Sequence, residues 1–170
     1  MQLKPILLIP IILISQSCQQ KVVHKFEIVK KKYSDYYLPP KYVAIPDSNY
    51  VILKNSVRMD LSSTEIKQIH KMISECLYEY NDSIIKSNIN SEADIPTIDI
   101  SYYKQQYFPI LNTYDNGEKQ IYVNCLCFSL LPKNWKTQFY SMSDGGSCFF
   151  NLVINLTKKS YSNFKVNSNG

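Results

Sequence analysis

The stretch "DGGSCFFNLVINL", Asp144 to Leu156, decides the fold. From Cys148 onward, Cys148, Phe150, Leu152, Ile154 and Leu156 recur at every second position. A period of two places all five on one face of a strand. The preceding Asp144-Gly145-Gly146 reads as a hairpin turn, with glycines supplying positive φ and aspartate capping the bend. A phosphate-cradling loop would need a helix to begin after the glycines, and here a strand follows. A nucleophile elbow needs strand, turn and helix together with a histidine partner, and Ser147 has neither.

Outward from this strand the same alternation continues in both directions. Ile98 to Leu111 reads as a long strand bent at Pro109, followed by Asn116-Gly117, a strong hairpin signal. Ile121 to Phe128 returns with Ile121, Val123, Cys125 and Cys127 on one face. Trp135 to Met142 is predicted as the next strand and Tyr161 to Val166 as the last, after a turn at Thr157 to Lys159.

The pattern upstream is helical. Ser62 stands three residues before Glu65, a capping box, and Ile66, Ile69, Ile73, Cys76, Leu77 and Tyr80 follow on one face. The helix is expected from Ser63 to Tyr80, with a polar connection from Asn81 closed by Pro96. Tyr50 to Lys54 reads as a short strand, and the proline-punctuated Tyr33 to Pro46 as an extended lead-in. One helix followed by a run of strands predicts an α+β domain, with the helix packed on a curled antiparallel sheet of four to six strands. In architecture alone this order resembles the cystatin-like arrangement. The QxVxG hairpin of cystatins is missing, with "QQYFP", Gln105 to Pro109, the nearest stretch, so no inhibitor reading follows.

The N-terminus opens with "MQLKPILLIPIILISQSC". Lys4 precedes an apolar run from Pro5 to Ile14 that is too short to span a bilayer. Ser15-Gln16-Ser17-Cys18 resembles the lipobox of bacterial lipoproteins, with Ser15 where that pattern has leucine. The resemblance implies cleavage before Cys18 and acylation of its sulfur. An ordinary secretory peptide cleaved near the same place is the alternative. The expected organisation is a signal peptide over residues 1–17, a basic tether over 18–32 and a single domain over 33–170.

Composition narrows the function classes. The chain has 170 residues, 45 % of them hydrophobic and 19 % charged, enough apolar content for a packed core. Its net charge of +5 is not a property of the domain, because acidic and basic residues balance from Tyr33 onward. The excess comes from Lys4 and from Lys21, Lys25, Lys30, Lys31 and Lys32 in the tether. A basic tether suits anionic headgroups or serves as a solvated spacer, and no nucleic-acid footprint lies on the domain.

Residues with reactive side chains are sparse. His24 lies in the tether, and His70 is expected at the surface or boundary of the helix. Asp99, Asp115, Glu118 and Asp144 could supply a carboxylate pair, the basis of an alternative reading as a small envelope hydrolase, although strand ends and turns routinely carry such residues. Beyond Cys18, four cysteines remain: Cys76, Cys125, Cys127 and Cys148. Their spacing suits neither a zinc site nor a helix-activated thiol. A disulfide from Cys148 to Cys125 or Cys127 is expected, with Cys76 a buried residue or the partner of the remaining thiol. No metal or cofactor is called for.

The stretches "YYKQQY" (Tyr102 to Tyr107), "NGEKQIYVNCLC" (Asn116 to Cys127) and "DGGSCFFNLVINLTKKSYSNFKVN" (Asp144 to Asn167) resemble a group of Bacteroidetes lipoproteins. That resemblance implies a cell-envelope location and brings no established activity. Asp82-Ser83-Ile84 resembles an O-glycosylation motif of the same bacteria, and Asn81-Asp82-Ser83 and Asn155-Leu156-Thr157 match the N-glycosylation sequon. The expectation is a non-enzymatic module, lipid-anchored through Cys18 at the outer membrane. Its tyrosines, Tyr33, Tyr36, Tyr37 and Tyr42 near the tether and Tyr102, Tyr103 and Tyr107 on the first long strand, either cover the sheet or present an aromatic surface to a protein or glycan partner.

Overall fold

The structure, a computed structural model, describes residues 43–46, 56–88, 97–112 and 116–167. The expected leader, Cys18, the tether with His24, the tyrosines from Tyr33 to Tyr42, the strand at Tyr50 to Lys54 and Asp115 lie outside those residues. In chain order the elements are β1 (Val43–Ala44), β2 (Ser56–Arg58), α1 (Ser63–Ser87), β3 (Tyr103–Asn112), β4 (Glu118–Cys127), β5 (Phe149–Asn155) and β6 (Ser160–Val166). One helix on a sheet makes the fold α+β, as the sequence pattern predicts.

The sheet has the order β1-β3-β4-β5-β6 and does not close, with β2 pairing on β3 as well. Residues 103–112 and 118–127 form a continuous ladder from Tyr103↔Cys127 to Asn112↔Glu118, running straight through Pro109. Asn116 and Gly117 both take positive φ in the connection, and the Gly117 amide donates to the Asn112 carbonyl. The sheet is mixed, a correction to the antiparallel expectation. β1 runs parallel to β3, with Val43 opposite Gln105, while β2 runs antiparallel to the other end of β3. Parallel neighbours need a long crossover, and α1 with its connections supplies it.

α1 begins as its sequence dictates. The Ser62 hydroxyl accepts from the Glu65 amide, and the Glu65 carboxylate accepts from the Ser62 amide. Lys119 at the start of β4 also donates to that carboxylate at 2.7 Å. Lys119 above all, with the Ser62 amide, holds the Glu65 carboxyl down at about 2. The helix runs past the expected end at Tyr80 to Ser87. Asn81 explains the extension: its side chain both donates to and accepts from the Ile98 backbone, each at 2.8 Å. A polar residue that looked like the end of the helix is a buried clasp to the next segment.

Ile69, Met72, Ile73, Cys76 and Leu77 of α1 pack against Tyr103, Tyr107, Ile121, Val123, Cys125, Phe150, Leu152 and Ile154. These lie at alternate positions on three strands, so one sheet face forms the layer under the helix, with Gln105 buried between Tyr103 and Tyr107.

The opposite face departs from expectation. Residues 131–145, which include the expected strand Trp135 to Met142, pair with no strand and fold over this face as a loop. Gln106 donates from Nε2 to the carbonyls of Trp135 and Gln138, and Asn124 donates from Nδ2 to the carbonyl of Tyr140. Phe139 packs on Phe108 and Tyr122 at ring separations of 5.3 and 6.1 Å. The aromatic spacing that imitated a strand instead covers the even-numbered positions of β3 and β4. The Asp144-Gly145-Gly146 turn is corrected with it. Both glycines take positive φ as expected, but the turn joins this loop to a short 3-10 turn (Gly146–Cys148) rather than two strands.

Candidate binding surface

The register of β4 and β5 decides which cysteines meet. Leu126 pairs with Phe149, so one residue further along each strand brings Cys127 opposite Cys148. These two form a disulfide, with Cα atoms 4.8 Å apart. Cys125 lies two residues deeper, opposite Phe150, inside the layer beneath α1. Cys76 and Cys125 are free and buried. Burial pushes the Cys76 thiol up to about 12, and burial raises the Cys125 thiol as well. Neither has the exposed, electropositive setting of a reactive cysteine. The sequence left Cys125 and Cys127 open as partners because both face one side of a strand. Only the strand register separates them.

The tyrosines on β3 are sorted by the same alternation. Tyr103 and Tyr107 are core residues, contrary to the expectation of an aromatic surface along this strand. The Tyr103 hydroxyl donates to the Ser147 carbonyl, tying the end of β3 to the disulfide loop, and the Tyr107 hydroxyl donates to Gln105. Tyr102 is different. It stands just outside the Tyr103↔Cys127 pair and is 65 % exposed. On the other side of that pair comes Phe128, 41 % exposed.

Lysines complete this end of the sheet. The Lys104 ammonium lies 4.6 Å from the Phe128 ring centroid and 5.7 Å from that of Trp135, and the Lys136 ammonium lies 5.9 Å from Trp135. Trp135 itself is 6 % exposed and serves as a buried floor. Rings beneath ammonium groups make cation–π contacts. The result is an amphipathic surface of rings and lysine ammonium groups beside the Cys127–Cys148 bridge. Phe128 was missed in the sequence because it was read as the last residue of the returning strand, off its apolar face, whereas it opens a short 3-10 turn (Phe128–Leu130).

The other candidates scatter. Asp99 caps a short 3-10 turn (Ile100–Tyr102), accepting from the Ser101 amide and hydroxyl. Glu118 sits at the far end of the β3–β4 ladder, where it pairs with Lys158 and accepts from Asn155. A ten-residue ladder spans about 30 Å, so these two carboxylates form no acid–base pair. Asp144 lies exposed in the loop. Among the described residues no group of His, Cys, Asp and Glu could hold a metal ion.

His70 is corrected from surface or boundary to core. It is 6 % exposed and meets Tyr107 edge-on, with ring centroids 6.0 Å apart. Burial lowers its pKa to about 4. The sequons are structural, since Asn81 clasps Ile98 and Asn155 is buried against Glu118. Ser83 lies on α1 rather than in a polar connection, and its hydroxyl donates to the Tyr80 carbonyl.

No family model, curated protein or solved structure matches this chain.

Proposed function

We propose that this chain is a lipid-anchored module of a bacterial cell envelope, held at the outer membrane through Cys18, that works by contact rather than by catalysis. The surface formed by Tyr102, Lys104, Phe128 and Lys136 carries this reading. It gathers exposed rings and positive charge on a rigid sheet end. Rings of this kind give contact area at low entropic cost. The Cys127–Cys148 bridge supports an extracytoplasmic location, because structural disulfides persist in oxidising compartments. The apolar run from Pro5 to Ile14 followed by Cys18 supports the anchor.

Radiolabelled palmitate tests the anchor directly. It should enter the wild-type chain expressed in a bacterial envelope and fail to enter Cys18→Ser. Equal labelling of the two chains overturns the lipoprotein reading.

A further inference from the structure

The direction of β1 singles out one end of the sheet. β1 is parallel to β3 and begins with Val43 opposite Gln105, next to Lys104. The N-terminal end of β1 therefore points toward the end of the sheet bearing Tyr102, Lys104, Phe128 and the disulfide, not toward the far end bearing Glu118. That end combines exposed aromatic rings with lysine ammonium groups, the chemistry that settles at a membrane–water interface. Lysines near an anionic surface are attracted to it, and rings sit well at headgroup level.

We propose that this end of the domain docks on the anionic phospholipid headgroups of the bilayer that holds the anchor. Tyr102 and Phe128 lie at headgroup depth, and Lys104 and Lys136 face the phosphates. Lys104 bridges the two parts of the surface, since its ammonium lies over both Phe128 and Trp135. The bridge at Cys127 and the bond from Tyr103 to Ser147 hold the underlying backbone rigid, so little ordering accompanies docking. The proposal rests on the lipid-anchor reading and names the partner of the surface described above.

Trp135 is the chain's single tryptophan and forms the floor of this surface, so its emission reports docking. The acylated full-length chain is placed on vesicles containing phosphatidylglycerol and headgroup-attached dansyl, and attachment is read separately by flotation. Energy transfer from Trp135 to dansyl should be strong, should fall when salt is raised, and should be weak on phosphatidylcholine vesicles. Combining Lys104→Gln, Phe128→Ser and Lys136→Gln should lower the docked-to-undocked ratio by more than about tenfold while flotation is unchanged. The charge-matched control Lys67→Gln with Lys159→Gln, two exposed lysines on other elements, should keep full transfer. Flotation with transfer that is equal in the patch variant, or lost equally in the control, overturns docking and leaves the anchor standing. A wild-type chain that does not float overturns the anchor and this proposal with it.

Discussion

His70 shows how one side chain can set the acid limit of a fold. In the unfolded chain its imidazole titrates near the ordinary value of 6.5, and in the fold burial holds it to about 4. The unfolded state therefore binds more protons below pH 6.5, and the native state loses stability as pH falls from 6.5 toward 4. Chemical denaturation at fixed temperature should show a loss of about 2 kcal/mol between pH 7.5 and 5, a slope that His70→Gln should largely flatten. A second residue-scale test concerns Gly145, whose φ is 97°. Gly145→Val should lower stability by about 1–2 kcal/mol, read from the thermal midpoint, because a β-branched residue is strained in that region. The need for glycine there was legible in the sequence. The identity of the turn was not, because a glycine pair reports backbone conformation and says nothing of what lies on either side.

At the scale of elements, the loop over the second sheet face is held by buried amides, and one covalent bridge joins the ends of the segment that carries it. Gln106→Leu would leave the Trp135 and Gln138 carbonyls without its Nε2 donor, and unmade buried bonds are costly. The expected outcome is a loss of about 2 kcal/mol, with faster limited proteolysis between residues 131 and 145. Reducing or removing the bridge should cost about 3 kcal/mol, since it closes a segment with a sequence separation of 21. Non-reducing mass spectrometry should find the Cys127 peptide joined to the Cys148 peptide, and a Cys125–Cys148 link would contradict the strand register. Helix α1 and strands β3 to β6 were legible because their apolar periods are long and bounded by a capping box, Asn116-Gly117 and Thr157 to Lys159. The loop over the second face was not. Gln106 and Asn124 fall off the apolar face of an alternating strand, and no local period shows that a buried amide is binding a distant backbone carbonyl. The candidate surface was legible only in part for the same reason, since Tyr102, Tyr103 and Tyr107 look alike until the sheet is covered on both sides.

For the whole molecule, the buried thiols make stability measurable by chemistry. Cys76 lies on α1 and Cys125 on β4, so both are exposed only when helix and sheet separate. In Cys18→Ser protein the two should resist alkylation under native conditions and react together in denaturant; early labelling of one alone would reveal an independent opening of the layer. The short ladder of β1 has a mechanical meaning as well. Tension transmitted from upstream of Val43 acts first on two residues paired with Gln105 and Gln106, while β3, β4, β5 and β6 remain joined by much longer ladders. In an optical trap, extension between the chain termini should give a small low-force rip before the main one. β1 would act as a fuse, yielding under load so that the disulfide-bearing body behind it stays folded.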